Sequence, residues 1–200
     1  MRNKQDKPEI IMIIEKNLYS LIFSHIEKEL SKEFEIIKIY NQELNNNLKE
    51  VLQNKELKKV KGYIASWGSP QVDKEFLNMM PELEIIACAK GSVKGYICEE
   101  AFAKGIVATS AHMALAPSVA ETTLMLTLMG LKLYKKQRKR MEKGERRTPD
   151  PVGYELINKK VGLIGYGRIA KSYKKLLESF QVEVVAYDPY IEEIKNDEVS

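Results

Sequence analysis

The hydrophobic residues fall into short apolar runs that alternate with stretches in which apolar residues recur at helical spacing. The apolar runs cover 9–15, 34–40, 60–66, 83–89 and 105–110, and the helical patterns cover 18–30, 42–56, 71–79 and 98–104. The runs have the length and the β-branched content of buried strands. Because strands that alternate with helices form a parallel sheet with helices on both faces, this pattern predicts an α/β fold.

The longest helical pattern of the chain follows the fifth predicted strand. Pro117 and Ser118 open it, and Ser118 with Glu121 three residues later has the spacing of a capping box. We expect this helix, residues 116–143, to bridge two domains, since it is too long to sit inside one compact α/β unit. The turn-forming and charged residues over 144–153 predict a linker.

A glycine motif lies after the predicted linker, between two short apolar strands. Gly165, Gly167 and Ala170 match G-x-G-x-x-G/A, and Asp188 stands 21 residues after Gly167. In such a motif the first glycine allows a tight turn, the second lets the backbone approach a pyrophosphate, and the small third residue lets helix and strand pack closely. The phosphates would lie at the N-terminus of the following helix, where unpaired N–H groups favour anions. The motif therefore predicts the start of a Rossmann dinucleotide-binding unit.

The choice of cofactor follows from Asp188. Its carboxylate would accept hydrogen bonds from the adenosine ribose hydroxyls and would repel a 2′-phosphate, and no Arg or Lys directly follows it. NAD is therefore predicted rather than NADP. Two other interpretations are a plain glycine turn and a methyltransferase that uses S-adenosylmethionine. Ile164 disfavours the methyltransferase, because an acidic residue would be expected just before the first glycine.

Three segments together resemble the NAD-dependent D-2-hydroxyacid dehydrogenase family, which includes phosphoglycerate dehydrogenase-like members. The family's substrate-loop segment is similar to LEIIACAKGSVKGYICEEAFAKGIVATS (83–110), its V-A-E-x-T-L helix start to APSVAETTLMLTL (116–128), and its cofactor segment to VGLIGYGRIAKSYKKLLESFQVEVVAYDP (161–189). The resemblance implies a flavodoxin-like parallel-sheet substrate domain over 1–115, an interdomain helix over 116–143, and an incomplete Rossmann NAD-binding domain over 144–200.

The resemblance also implies roles for individual residues. The cofactor-binding residues would be Gly165, Gly167, Arg168, Ile169, Ala170 and Asp188, with the backbone amides of Arg168 and Ile169 on the pyrophosphate. The substrate-binding residues would be Trp67, Gly91, Ser92 and Val93, with the loop 91–93 offering N–H groups to a substrate carboxylate. An ordinary βα turn and a core Trp are the structural alternatives for the substrate side. The full-length reaction would be reversible hydride transfer between NAD and C2 of a small 2-hydroxy or 2-oxo acid, in a homodimer.

Two features depart from the pattern of the family. Leu115 stands where many members have an Asn that helps to hold substrate, so the donors and acceptor of an amide are missing. The family's catalytic Arg and Glu–His pair all follow the second Rossmann strand, which ends here at Ala186. The given sequence continues for 14 residues after that strand. Another crossover alone would use at least about 10–12 of them, which leaves too few for a third strand and the catalytic residues. We therefore assign no catalytic residue and expect residues 1–200 alone to be inactive. His25 is expected to be a surface or boundary residue of the first helix, and His112 is a candidate substrate contact.

Composition limits the class of protein and the cellular compartment that can be expected. Its 200 residues are 44% hydrophobic and 30% charged, as in an ordinary globular chain. Cys88 and Cys98 form neither a C-x-x-C pair nor a zinc-ligand set, so no metal site is predicted and a reducing compartment is indicated. The chain has no uninterrupted run of about 18 apolar residues and no secretory pattern at its start. We therefore expect a cytoplasmic protein without a membrane partner.

The positive charge is concentrated in one segment. The net charge is +4, and residues 132–147 hold nine Lys/Arg against two Glu. One interpretation is a solvated helix end, where cations are favourable. The other is a surface for an anionic partner, although nucleic acid is not expected because no stacking platform or binding motif accompanies the segment. The alternative to an oxidoreductase is accordingly a non-catalytic nucleotide-binding or interaction protein that uses this basic helix.

Overall fold

The computed structural model describes residues 7–41, 51–52, 56–145 and 153–191. The chain divides into two compact units, Met1–His112 and Met113–Ser200. The predicted helix over 42–56 and the predicted linker over 144–153 lie mostly outside the described residues. The predicted domain limits at residues 115 and 143 stay predictions.

A five-stranded parallel sheet forms the centre of the first unit. Its strands are β1 (Glu9–Ile14), β2 (Glu35–Tyr40), β3 (Val60–Ala65), β4 (Ile85–Cys88) and β5 (Val107–Ser110). They lie in the order β2-β1-β3-β4-β5, and every neighbouring pair is parallel. This is the order of flavodoxin-like folds. The predicted α/β class with a parallel sheet is therefore confirmed.

Strands buried on both faces build the core of this unit. Residues 10–14 of β1 are all buried, as expected for a central parallel strand that helices cover on both sides. Tyr63 of β3 packs against Phe76, with the ring centroids 4.8 Å apart. Asp73 caps the helix that carries Phe76 by accepting a hydrogen bond from the Phe76 amide at 2.8 Å. Burial on both faces explains why these strands are nearly continuous apolar runs in the sequence.

The helices of the first unit that lie wholly within the described residues are short. They are α1 (Lys16–Leu18), α2 (Glu27–Glu33), α3 (Lys74–Met79) and α4 (Glu99–Ala103). A π-helical turn, Tyr19–Phe23, follows α1, so the prediction of one continuous helix over 18–30 is wrong. The wider turn adds one residue per turn, and it brings Tyr19 and Phe23 into one apolar cluster with Met12 and Ile14. His25 is exposed after this turn, as predicted.

Two helices stand in place of the single long helix that the sequence predicts. α5 (His112–Leu131) and α6 (Tyr134–Glu142) are separated at Leu133, whose φ of 50° lies in the left-handed region. The predicted start at Ser118 is also wrong, because α5 begins at His112 and contains Pro117. The Ala, Met and Leu residues over 111–116 favour helix. Pro117 removes one N–H donor and crowds the carbonyl four residues earlier, but the helix continues through it.

A two-stranded parallel sheet follows in the second unit. β6 (Lys160–Ile164) and β7 (Glu183–Tyr187) are joined by α7 (Arg168–Leu177) and a 3₁₀ turn, Glu178–Phe180. This is the βαβ arrangement with which a Rossmann fold begins.

The two faces of this sheet differ in burial. On one face Val184 is buried in an apolar cluster with Tyr173 and Leu177 of α7. On the other face Ile164 and Tyr187 are 94% and 65% exposed. Among the described residues nothing therefore covers the second face.

Within the described part of the chain, α5 is the one helix that meets the length and hydropathy criteria for crossing a membrane, with a mean hydropathy of 1.3. Helices of soluble proteins meet the same criteria, so length and composition alone do not decide its environment. The absence of a membrane partner stays a prediction.

Candidate functional site

The turn after β3 lies at the point where the strand order of the first sheet reverses. β1 and β3 are neighbours there, and ligands of open α/β sheets bind outside the carboxyl ends of the strands at such a point. Trp67 and Gly68 follow the carboxyl end of β3. Trp67 is 49% exposed, so it is not the core residue that the alternative interpretation required.

Hydrogen bonds to the ends of β1 and β2 hold this turn. Ser69 Oγ donates to the carbonyl of Ile13 in β1 at 2.5 Å and accepts from the amide of Ser66 at 2.7 Å. Asn41 Nδ2 donates to the Gly68 carbonyl at 2.6 Å from beyond the end of β2. Gly68 has φ of 77°, a conformation that glycine adopts without strain. The turn that presents Trp67 is therefore fixed by the sheet edge itself.

The loop 91–93 follows the next strand, β4, at the same edge. The amide of Ala89 donates to the Ala65 carbonyl at 2.7 Å and so links the ends of β3 and β4. Within the loop, Ser92 Oγ accepts from the amide of Lys94 at 3.1 Å. The amides of residues 91–93 donate to no acceptor within the described residues, and residues 91 and 92 are exposed. The structure thus gathers Trp67 and the loop 91–93 on adjacent strand ends, with N–H groups available to an anion.

Lys90 was not singled out from the sequence. Its Nζ lies over the ring of Tyr96, 2.9 Å from the centroid, and Tyr96 OH is 3.1 Å from Tyr63 OH. Burial raises the pKa of Tyr96 to about 12. Burial lowers the pKa of Lys90 below its ordinary value, with Cys88 acting in the opposite direction. The signal available in the sequence was a lysine directly before the glycine of the predicted substrate loop.

His112 lies beside the same loop. Its Nδ1 is 2.5 Å from Ser110 Oγ, and the amide of Ala111 donates to the carbonyls of both Cys88 and Lys90 at 3.0 Å. These bonds hold the ends of β4 and β5 together and leave His112 exposed at their edge. The position is compatible with the substrate contact considered for His112, which stays a prediction.

The glycine loop of the second unit lies between β6 and α7. Gly165 has φ of 85°, and its amide donates to the Tyr187 carbonyl at 2.7 Å. Gly167 is the N-cap residue of α7, and no side chain caps this helix. A Cβ atom built on either glycine would meet no atom within 4 Å, so the space beside both backbones is open. Arg168, Ile169 and Ala170 form the first turn of α7, whose amides lack intrahelical acceptors.

Asp188 is attached to this loop. Its Oδ2 accepts from the amide of Tyr166 at 2.8 Å, and its Oδ1 accepts from the amide of Tyr190 at 3.0 Å. The Tyr166 bond, followed by the Tyr190 bond, lowers the pKa of Asp188 below its ordinary value of 3.8. The carboxylate is thus charged at neutral pH and lies beside the glycines. Each oxygen keeps a lone pair that could accept from a ribose hydroxyl.

These residues fit a dinucleotide. The open space beside Gly165 and Gly167 lets a pyrophosphate approach the backbone, and the uncapped N-terminus of α7 supplies N–H donors for it. Asp188 then stands at the ribose end of the same loop. The individual contacts to a cofactor remain predictions.

The basic segment forms a surface of its own. A groove of about 450 Å³ runs along α6 and is lined by Met129, Gly130, Leu133, Tyr134, Lys135, Lys136 and Lys139. Arg138 pairs with Glu142 at 2.9 Å. Residues 146 and 147 of the predicted segment lie outside the described residues.

Comparison with known proteins bears on both units. Residues 124–200 match the NAD binding domain of the D-isomer specific 2-hydroxyacid dehydrogenases. The chain is 31% identical over 121 residues to D-3-phosphoglycerate dehydrogenase from Methanocaldococcus jannaschii, covering 60% of this chain and 23% of that protein. It is 28% identical over 168 residues to hydroxypyruvate reductase from Thermotoga maritima, covering 82% of this chain and 55% of that protein.

A solved structure shows the same fold. It is the NADPH-dependent glyoxylate/hydroxypyruvate reductase from Sinorhizobium meliloti in complex with NADP and malonate. The TM-score is 0.66 at 24% identity, over 94% of this chain and 55% of that one. The chain thus spans between a quarter and about half of the length of the proteins it matches.

The parallel sheet and the glycine loop define a two-unit α/β protein of the nucleotide-binding class. Over residues 124–200 the chain is similar to the D-isomer specific 2-hydroxyacid dehydrogenases, in agreement with the resemblance of its cofactor segment. Members of the family are oxidoreductases that act on a CH–OH group, and the prediction of an NAD-type cofactor is confirmed at the level of the family.

Proposed function

We propose that these residues belong to an NAD-dependent oxidoreductase that interconverts a small 2-hydroxy acid and the corresponding 2-oxo acid. The second unit would hold the cofactor through its glycine loop and Asp188. The first unit would hold the substrate carboxylate on the loop 91–93, beside Trp67. When bound, the nicotinamide carries the hydride, and the protein supplies binding and orientation. The whole protein would act as a homodimer in the cytoplasm.

The observation that carries the proposal is the geometry of the glycine loop. Gly165 adopts a backbone conformation that favours glycine, Gly167 leaves the N-terminus of α7 uncapped, and Asp188 is held against the amide of Tyr166. A plain glycine turn does not require these three features to occur together. A pyrophosphate-binding loop with a ribose-binding carboxylate needs all three.

NAD is the proposed cofactor rather than NADP. Asp188 is charged at neutral pH, because two backbone amides lower its pKa. A 2′-phosphate at that position would meet the carboxylate at close range, and like charges repel. The relative from Sinorhizobium meliloti is NADPH-dependent, so the family as a whole does not fix the choice, and Asp188 supplies the argument for this chain.

Titration calorimetry of the purified chain with NAD and with NADP tests the proposal. We expect saturable binding of NAD and an affinity for NADP lower by about tenfold or more. Equal or tighter binding of NADP would contradict the role of Asp188. Binding of neither dinucleotide would contradict the cofactor site.

Turnover by residues 1–200 alone is not expected. No Arg and no Glu–His pair of these residues matches the catalytic residues that the resemblance implies. NADH oxidation in the presence of glyoxylate, pyruvate or hydroxypyruvate measures this directly. A rate above the enzyme-free control would overturn the assignment of no catalytic residue.

A binding function of the basic helix is the second candidate. The observation in its favour is the groove along α6, which apolar residues and three lysines line together. If α6 bound nucleic acid, the affinity would fall steeply with salt, since each neutralised phosphate releases counterions. Absence of salt-sensitive binding to duplex or single-stranded DNA and RNA would remove this version.

A further inference from the structure

Lys90 occupies the carboxyl edge of the first sheet, where the proposed substrate carboxylate would lie. It follows β4 after one residue and directly precedes the loop 91–93. The Ala111 amide bonded to its carbonyl at 3.0 Å fixes its backbone between the ends of β4 and β5. The backbone from which the Lys90 side chain extends is therefore held in place by the sheet.

The ring of Tyr96 holds the ammonium of Lys90 in place. Nζ lies 2.9 Å from the ring centroid, and Tyr96 is itself buried and bonded through its hydroxyl to Tyr63 OH at 3.1 Å. Tyr63 is completely buried, so the ring cannot easily turn away. The ring quadrupole attracts a cation that lies over the ring face.

No carboxylate neutralises Lys90 within the described residues, in contrast to Lys61 and Lys74 of the same unit. Lys61 pairs with Glu82 at 3.0 Å and with Glu84 at 2.9 Å. Lys74 pairs with Glu100 at 2.7 Å. Lys90, although more desolvated, makes no such ion pair. A partly buried ammonium without a carboxylate partner is stabilised when an anion binds beside it, because an opposite charge favours the charged form.

We propose that Lys90 supplies the positive charge of the carboxylate site, so that its ammonium and the amides of the loop 91–93 together bind the carboxylate of a small 2-oxo acid. The inference rests on the proposed function and makes Lys90 a residue that determines specificity for an acid over a neutral carbonyl compound. One carboxylate oxygen would accept from the loop amides and the other from the ammonium, since an ionised carboxylate accepts at both oxygens. Lys90 and the loop 91–93 both belong to the first unit.

Amide NMR titration of the labelled chain with oxalate, a planar analogue of a 2-oxo acid, tests the proposal. In the wild type we expect saturable shifts of the amides of residues 91–93. Lys90→Met should weaken oxalate binding by about tenfold or more, and Lys90→Arg should restore it to within about threefold, because charge-assisted hydrogen bonds account for the difference. Lys104→Met is the matched control, since it removes an equal charge from an exposed position of the same unit and should leave oxalate binding unchanged.

The outcomes separate this inference from the proposed function. Equal oxalate affinity of wild type and Lys90→Met, or no shift of the loop amides in the wild type, would overturn the role of Lys90. An equal loss in Lys104→Met would also overturn it, because net charge would then explain the effect. NAD titration of the same variants should give the wild-type affinity. Failure of the wild type to bind NAD would count against the proposed function and leave the oxalate result standing.

Discussion

The two sheets of this chain differ in how completely they are covered. In the first unit, residues 10–14 of β1 are buried on both faces, and β1 has a strand on either side. In the second unit, β6 and β7 pair only with each other among the described residues, and Ile164 is almost fully exposed. Both sheets are parallel, and parallel sheets are normally covered on both faces. The first sheet satisfies this rule and the second does not.

The contrast shows that the glycine loop needs less surrounding structure than the core of the first unit. The glycine loop keeps its turn, its uncapped helix and its bonded Asp188 on only two strands and one helix. These features are set by contacts between residues 165 and 190. The exposed apolar surface of Ile164 and Tyr187 adds little to the stability of the sheet around them.

The largest difference is expected from core truncation. Ile11→Ala should destabilise the first unit by about 2–5 kcal/mol, because Ile11 is completely buried at the centre of the sheet. Ile164→Ala in the second sheet should change stability by less than about 0.5 kcal/mol, because the side chain is exposed. Urea unfolding followed by amide NMR measures each unit separately. Similar losses of stability in both variants would contradict the inferred difference in burial between the two sheets.

Replacing Gly165 should affect cofactor binding more than folding. The Ala side chain at φ of 85° introduces about 1–2 kcal/mol of strain, and its Cβ enters the space proposed for the pyrophosphate. We expect Gly165→Ala to weaken NAD binding by about tenfold or more. Gly105→Ala is the control, because Gly105 has φ of 78° and equally open space but belongs to the first unit. Equal NAD affinity of the two variants in calorimetry would contradict the assignment.

The exposed face of the second sheet should make residues 1–200 self-associate. Ile164, Val185 and Tyr187 lie on that face with 94%, 47% and 65% of their surface exposed. Uncovered apolar sheet faces and unpaired edges promote association. Sedimentation velocity should show oligomers for the wild type and a shift towards monomer for Ile164→Lys. Leu21→Lys, at an exposed position of the first unit, should have no such effect, and a monodisperse wild type would contradict the prediction.

The smallest expected effect concerns pH and the glycine loop. The pKa of Asp188 is lowered on folding, so its bonds stabilise the loop fully above the unfolded pKa of about 3.9 and lose this effect as the pH falls through the lower folded value. The amide resonance of Tyr166 should move in that acidic window. The neighbouring amide of Gly165, bonded to the Tyr187 carbonyl, should not follow it. Asp188→Asn should abolish the transition, and its persistence in that variant would assign it to another group.

The sequence predicted the strands better than the helices, for a physical reason. Strands buried on both faces need continuous apolar runs, and such runs are visible in one dimension. The π-helical turn at Tyr19–Phe23 and the left-handed Leu133 arise from packing and chain reversal, which local spacing does not encode. Ser118 has the side chain of a good N-cap, but the helix-forming residues before it continue the helix past that signal.

The same distinction applies to the candidate site. Gly165, Gly167 and Asp188 could be assigned because a βαβ unit places them together by local connectivity. Lys90 could not be assigned, because its environment depends on Tyr96 folding back over the loop and on Tyr63 from another strand. From the sequence alone, a lysine beside a glycine is interpreted as a solvated residue. The contact of Lys90 with the Tyr96 ring is visible only in the structure.

The most direct test of the account is a map of NAD binding on the amide NMR spectrum of the chain. We expect saturable shifts confined to residues 165–170 and Asp188, with the amides of α6 and of the first sheet unchanged. Shifts centred on α6, or none at the glycine loop under saturating NAD, would contradict it.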